Sequence, residues 1–118
     1  MTQEEKEKKM LPLILTLAER TNNKAISWER DEDGYHTAFG EDTIEFSYEM
    51  DPCDEENLIP VNYALVFSNP NGIKYEIYYT FGGATGSAEF YKLYQAVMKF
   101  DEDRFNAIYN KFMGVDQL

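Results

Sequence analysis

The sequence has few cysteines and histidines, the residues that form disulfides and bind zinc. Its 118 residues include one cysteine, Cys53, and one histidine, His36. A single cysteine excludes a disulfide within the chain and is typical of a reducing compartment, so we expect a cytoplasmic protein. The mixed-charge N-terminus is a poor signal peptide. No run reaches the roughly 20 apolar residues that a membrane span needs, so we expect no membrane association.

Motifs for catalysis are also missing. The chain has no Ser-His-Asp, CxxC or HExxH arrangement, and the acidic neighbours of Cys53 should blunt its thiol. Asp31-x-Asp33-Gly34 is similar to part of a calcium loop, but Gly40 stands where the bidentate glutamate belongs. A weak hydrolase built on His36 and nearby carboxylates is a remote alternative. We therefore expect no enzyme, no cofactor and no specific metal site.

Basic residues are nearly absent from one quarter of the chain. Residues 29–56 hold twelve acids and only one base, Arg30, whereas the acids and bases elsewhere cancel. The net charge of −11 therefore lies in this acidic segment. Such a surface repels nucleic acids and attracts basic proteins. The residues predicted to bind a partner are Glu41, Asp42, Glu45, Glu49, Asp51, Asp54, Glu55 and Glu56.

The clearest structural pattern is a β-hairpin over residues 61–81. Two runs rich in β-branched and aromatic residues flank Asn69-Pro70-Asn71-Gly72, which is typical of a tight turn followed by a left-handed glycine. That turn places Asn69 opposite Ile73. A regular ladder would then put the odd-numbered apolar residues of both strands on one face, with the following pairs: Phe67–Tyr75, Leu65–Ile77, Tyr63–Tyr79 and Val61–Phe81.

Helices are predicted at both ends of the chain. Thr2 to Glu5 reads as a capping box, and Pro12 favours a stable first helix that begins near Leu11. After the hairpin, apolar residues recur at helical spacing from Phe90 to Met113. Because one helix would place Asp101 and Arg104 in the apolar stripe, we predict a break at Phe100–Asp101 and two C-terminal helices.

Three short strands are predicted between the first helix and the hairpin, at 25–30, 35–39 and 43–50. The last alternates cleanly, with Ile44, Phe46, Tyr48 and Met50 inward and Glu45 and Glu49 outward. The prediction is a single α+β domain over residues 1–118: an N-terminal helix, a five-stranded antiparallel meander, and two C-terminal helices packed on one sheet face.

One spacing pattern supports this layout. Leu13-x-x-x-Leu17-x-x-x-Thr21, then Ile26-x-Trp28, a meander and a late helix with Leu93-Tyr94 resemble small uncharacterised bacterial proteins. The resemblance covers most of the chain and rests on hydrophobic spacing. It implies the fold, and it brings no activity, cofactor or partner with it.

Two functional hypotheses remain at this point. The first is a non-enzymatic module that binds a basic protein through the acidic segment, for instance an inhibitor or immunity-type protein that presents carboxylates in place of phosphates; simple solubility is the alternative meaning of the charge. The second is a small-ligand or phosphate-binding protein that uses the glycine-rich loop 82–87 at a helix N-terminus, through Gly83, Thr85, Gly86 and Ser87. The sequence leaves the oligomeric state open.

Overall fold

The architecture is α+β, with one antiparallel sheet between two long helices in sequence order. A computed structural model describes residues 2–53 and 59–114. Within them the elements are α1 (Gln3–Asn22), β1 (Glu29–Arg30), β2 (Tyr35–Phe39), β3 (Asp42–Glu49), β4 (Asn62–Ser68), β5 (Lys74–Phe81) and α2 (Ser87–Met113). No helix of the described residues is both long and apolar enough to cross a membrane.

The sheet is a meander with the strand order β1-β2-β3-β4-β5, as the sequence predicts. Both helices pack on one of its faces, and the core between them contains Trp28, Phe46, Leu65 and Phe90, all fully buried. The inward positions predicted for Ile44 and Phe46 are confirmed, whereas the one predicted for Met50 is wrong, because Met50 lies beyond the end of β3 and is exposed. We call this helix-packed side the covered face and the opposite side the open face.

The first helix begins at the predicted N-terminal cap, and its stable part is longer than predicted. Thr2 caps it, since its hydroxyl accepts a hydrogen bond from the Glu5 amide at 3.2 Å, and α1 then runs through Pro12 without ending. The prediction of a stable helix beginning near Leu11 is therefore wrong. At its other end, Arg20 O accepts hydrogen bonds from the amides of Ala25 and Ile26. Those amides therefore cannot form hydrogen bonds within the sheet, and β1 is shorter than the predicted strand 25–30.

The C-terminal region is one continuous helix, so the predicted break at Phe100–Asp101 is wrong. Asp101 and Arg104 do occupy the side of α2 that faces the sheet, but each has polar partners there. Arg104 Nη1 donates to Trp28 O at 2.7 Å, and Arg104 Nη2 donates to Asp101 Oδ1 at 3.1 Å. Because these bonds satisfy both side chains, the helix continues without a polar interruption and ends at Gly114, as predicted.

The hairpin forms at the predicted turn but changes register beyond it. Gly72 has a φ of 80°, and the amide of Asn69 donates to Ile73 O. A β-bulge follows: Ser68 pairs with Lys74 and Phe67 pairs with Glu76, which leaves Tyr75 as an extra residue. The predicted partners beyond the bulge are therefore wrong by one residue. A shift of one residue moves every later side chain of β5 to the other face.

Candidate functional site

The open face is the side of the sheet that the helices leave uncovered among the described residues. The pairing of the strands defines one row of side chains across it: Glu29, His36, Glu45, Val66 and Ile77. This row runs from the acidic Glu29 at the β1 edge, through Glu45 on β3, to the apolar Ile77 at the β5 edge. The open face therefore has two halves of different chemistry.

The acidic half is centred on β3. Glu45 and Glu49 both point outward from this strand, as the alternation predicts, and they stand about 13 Å apart because a strand rises ~3.3 Å per residue. Glu49 Oε2 accepts a hydrogen bond from Asn62 Nδ2 at 3.1 Å, which fixes that carboxylate over β4. Glu45 lies between His36 and Val66 on the neighbouring strands.

Of the other residues predicted to bind a partner, those that the structure describes do not join Glu45 and Glu49 on this face. Asp42 lies on the covered side, where its Oδ2 accepts a hydrogen bond from the Tyr75 hydroxyl at 2.8 Å. Glu41 is exposed in the β2–β3 turn, and Asp51 follows β3, where its Oδ1 accepts from the amide of Cys53. Asp54, Glu55 and Glu56 lie outside the described residues.

The aromatic half of the open face lies on β5, and reading the sequence missed it. The bulge turns Ile77, Tyr79 and Phe81 outward, where they are 43%, 65% and 66% exposed. Tyr78 and Thr80, which the regular ladder would place on the opposite face, are buried in the core instead. No local signal in the sequence points to this arrangement, because the polar Thr80 fits the covered face only through the hydrogen bond that its hydroxyl donates to Thr85 O at 2.8 Å.

The two halves meet in a shallow depression of about 270 Å³ at one end of the sheet. Phe81 pairs with Asn62, which pairs with Glu49, so an exposed ring and a carboxylate flank one amide side chain. Tyr79 pairs with Ala64, and the small side chain of Ala64 makes the depression deeper at that point. This arrangement has room for a side chain that offers both a cation and an apolar stem.

His36 forms a polar pair at the other end of the acidic half. Its Nδ1 lies 2.9 Å from Asp31 Oδ2, and Asp31 Oδ1 accepts hydrogen bonds from the amides of Asp33 and Gly34. The hydrogen bond with His36 lowers the pKa of Asp31 below its ordinary value, and the bonds from the two amides lower it further. These bonds stabilise the turn at residues 31–34, so the role of Asp31 and His36 is structural. Among residues 2–53 and 59–114, no three His, Cys, Asp or Glu side chains cluster as metal ligands would.

The glycine-rich loop uses much of its backbone for packing. The amides of Gly82, Ala84 and Ser87 donate to Val61 O, Phe81 O and Ala84 O respectively.

Gly86 explains the close approach of this loop to the helix layer. Its φ is 92°, and a Cβ there would lie 3.1 Å from both Leu11 Cδ2 and the Tyr78 hydroxyl. Glu89 adds a negative charge in the first turn of α2. For the phosphate-binding alternative through Gly83, Thr85, Gly86 and Ser87, the turn bonds occupy the amide of Ser87, and the Glu89 carboxylate would repel an anion.

The fold and this face define a small α+β module with one helix-covered and one open sheet face. Comparisons with protein-family models, with curated proteins and with solved structures found no match to this chain.

Proposed function

We propose that the protein is a non-enzymatic binding module that recognises a basic, amphipathic segment of another protein through its open face. The carboxylates of Glu45 and Glu49 receive the cationic side chains of that segment. The apolar side chains of Ile77, Tyr79 and Phe81 cover its apolar residues. A narrower form of the proposal is an inhibitor or immunity-type protein that occupies a site on its target normally used by nucleic-acid phosphates.

The observation that carries this proposal is the juxtaposition of the two halves on one exposed surface. Adjacent strands lie about 4.8 Å apart, so the carboxylates on β3 and the aromatic residues on β5 are separated by roughly 10 Å. A solubilising surface needs charge alone, whereas exposed aromatic side chains beside charge are typical of binding surfaces. Arginine suits such a site best, because its guanidinium pairs with carboxylates and stacks on aromatic rings.

Affinity capture from the source cell, at low and high salt, tests the proposal with two sets of substitutions. Glu45→Lys with Glu49→Lys should remove the basic partner that the wild-type protein retains. Tyr79→Ser with Phe81→Ser should remove it as well, although these substitutions leave the charge unchanged. Raising the salt should weaken capture, because the carboxylates are exposed to solvent.

The matched control is Glu5→Lys with Glu19→Lys on α1, which changes the net charge equally but leaves the open face intact. This control should retain the partner. Equal loss in the control and in the β3 variant would contradict the proposal, since recognition would then depend on total charge alone. Retention of the partner by the Tyr79→Ser, Phe81→Ser variant would remove the aromatic half from the site.

A further inference from the structure

The last part of α2 carries an apolar stripe that no other described element covers. Its members are exposed by 50–85% and recur at i, i+3, i+4, i+7 and i+8: Phe105, Ile108, Tyr109, Phe112 and Met113. Phe112 has the largest exposed fraction, 85%. We call these five residues the α2 stripe. The prediction that they pack on the sheet is wrong, because α2 extends past the sheet.

The sheet ends near Asp101 and Arg104. Arg104 reaches Trp28 O, and the Tyr35 hydroxyl donates to Asp101 Oδ2 at 3.4 Å. Phe105 follows one residue later, and the helix runs to Met113. At 1.5 Å per residue, the nine residues from Phe105 to Met113 form an arm about 13 Å long beyond these last contacts.

We propose that the α2 stripe is a homodimer interface, in which two copies of the chain pair their arms in antiparallel orientation. The spacing of the stripe is that of a two-helix seam, in which apolar side chains of one helix fit between those of another. A second copy presents a matching seam. The stripe itself contains no charged residue, so it suits the apolar helix of a second copy better than the basic segment proposed to bind the open face.

The exposed area is sufficient for a weak dimer. Three aromatic side chains of about 150–250 Å² each, with Ile108 and Met113, present about 600 Å² per chain at the observed exposures. Two copies would bury about 1,200 Å² in total, which is the lower end of the range for specific interfaces. The dimer is therefore expected to depend on protein concentration.

The orientation follows from the rest of the molecule. Up to Arg104, the sheet and α1 occupy the inward side of α2, so a parallel partner helix would bring its own sheet into the space that this sheet fills. Antiparallel arms avoid the collision, because the sheet and α1 of one copy then lie at one end of the helix pair and those of the other copy lie at the other end. The two-fold axis then passes near Ile108 and Tyr109, and Phe105 of one copy faces Phe112 of the other.

Sedimentation velocity from about 10 µM to about 500 µM tests the association, because mass action populates a weak dimer only at the higher concentrations. The wild-type mass should rise from 13.8 kDa towards twice that value. Added salt should strengthen the association, since each copy carries a net charge of −11 and salt screens their repulsion. This dependence is opposite to the one expected for the basic partner.

Phe112→Glu should keep the protein monomeric over this range. Lys111→Gln is the matched control, because it changes the charge by the same amount at a neighbouring exposed position away from the stripe, and it should dimerise as the wild type does. A wild-type protein that stays monomeric at every concentration, or a Phe112→Glu variant that dimerises normally, would overturn the proposal.

Single cysteines test the orientation in a Cys53→Ser background. Tyr109→Cys lies near the two-fold axis and should form a disulfide-linked dimer under mild oxidation. Phe112→Cys lies opposite Phe105 of the second copy, so it should cross-link much less. Preferential cross-linking through Phe112→Cys would indicate parallel arms and overturn the proposed arrangement.

Discussion

Trp28 illustrates how single residues tie the sheet to the helices. Its side chain is fully buried, and its one polar atom, Nε1, donates to Thr21 Oγ1 at 2.9 Å. Thr21 Oγ1 in turn donates to Leu17 O at 2.6 Å. The spacing of Thr21 and Trp28 is visible in the sequence, but the hydrogen bond that joins them across the helix–strand connection is a result of the fold.

We predict that Thr21→Val destabilises the protein by about 1–3 kcal/mol, because the indole N–H of Trp28 would remain buried without an acceptor. Chemical denaturation monitored by circular dichroism measures the change in the free energy of unfolding. Thr16→Val is the matched control: Thr16 Oγ1 also donates to a carbonyl one turn back, Pro12 O, but on an exposed side of α1. A similar loss of stability in both variants would contradict the role given to the Trp28 bond.

At the scale of elements, α2 is held against the sheet edge by Arg104 where apolar packing ends. Its guanidinium donates to Trp28 O and to Asp101, and lies 5.5 Å from the centre of the Phe100 ring. Three contacts of different kinds thus converge on one planar group. They allow the helix to continue past the core as the arm that carries the α2 stripe.

Arg104→Lys should cost about 1–2 kcal/mol and increase the hydrogen-exchange rate of the α2 amides after Asp101. A lysine keeps the charge but cannot make both hydrogen bonds and stack on the ring. Arg30→Lys serves as the control, because Arg30 is exposed and its nitrogen lies 3.9 Å from Asp101 Oδ2. Unchanged exchange in the Arg104→Lys variant would show that the helix continues for another reason.

The elements could be predicted from local patterns, whereas the faces of β5 could not. The turn at Asn69–Gly72 and the alternation of β3 are local features, so their predictions are confirmed. The bulge at Tyr75 depends on distant partners: the Tyr75 hydroxyl donates to Asp42, and Glu76 forms an ion pair with Lys6 of α1 at 3.2 Å. Both side chains therefore lie on the covered side. This turns Ile77, Tyr79 and Phe81 to the open face, where they form the aromatic half of the site.

The continuity of α2 likewise depends on contacts with residues that are distant in the sequence. Asp101 and Arg104 are polar residues at inward positions, and the sequence alone does not reveal that Trp28 O and the Tyr35 hydroxyl would bind them. Half of the candidate site, Glu45 and Glu49, was accessible from strand alternation. The other half, and the exposed arm, depended on contacts between residues far apart in the chain.

At the scale of the whole molecule, the aromatic core makes stability sensitive to alkaline pH. Loss of solvent raises the pKa of Tyr63 to about 12, and the nearby Tyr91 and Tyr94 add to the effect. Burial, together with the charge of Asp101, raises the pKa of Tyr35 to about 12 as well. Both phenols are therefore protonated in the folded protein at pH values where an unfolded chain would lose their protons.

We predict that the free energy of unfolding is constant below pH 10 with respect to these two groups and falls between about pH 10 and pH 12. In this window the folded state binds more protons than the unfolded state, so stability must decrease as the pH rises. The difference in absorbance at 295 nm between the wild type and Tyr63→Phe would show whether this phenol ionises together with unfolding. Urea denaturation at several pH values would give the slope.

Tyr63→Phe should flatten this alkaline slope, because the variant has no phenol to ionise at that buried position. Tyr79→Phe removes a phenol from the open face, where the ring is 65% exposed, and should leave the slope as it is in the wild type. Each substitution removes one phenol oxygen, and the two residues lie on neighbouring strands. They differ in whether the ring is buried or exposed. An equal change in slope for both variants would mean that burial of Tyr63 does not control the alkaline limit of the fold.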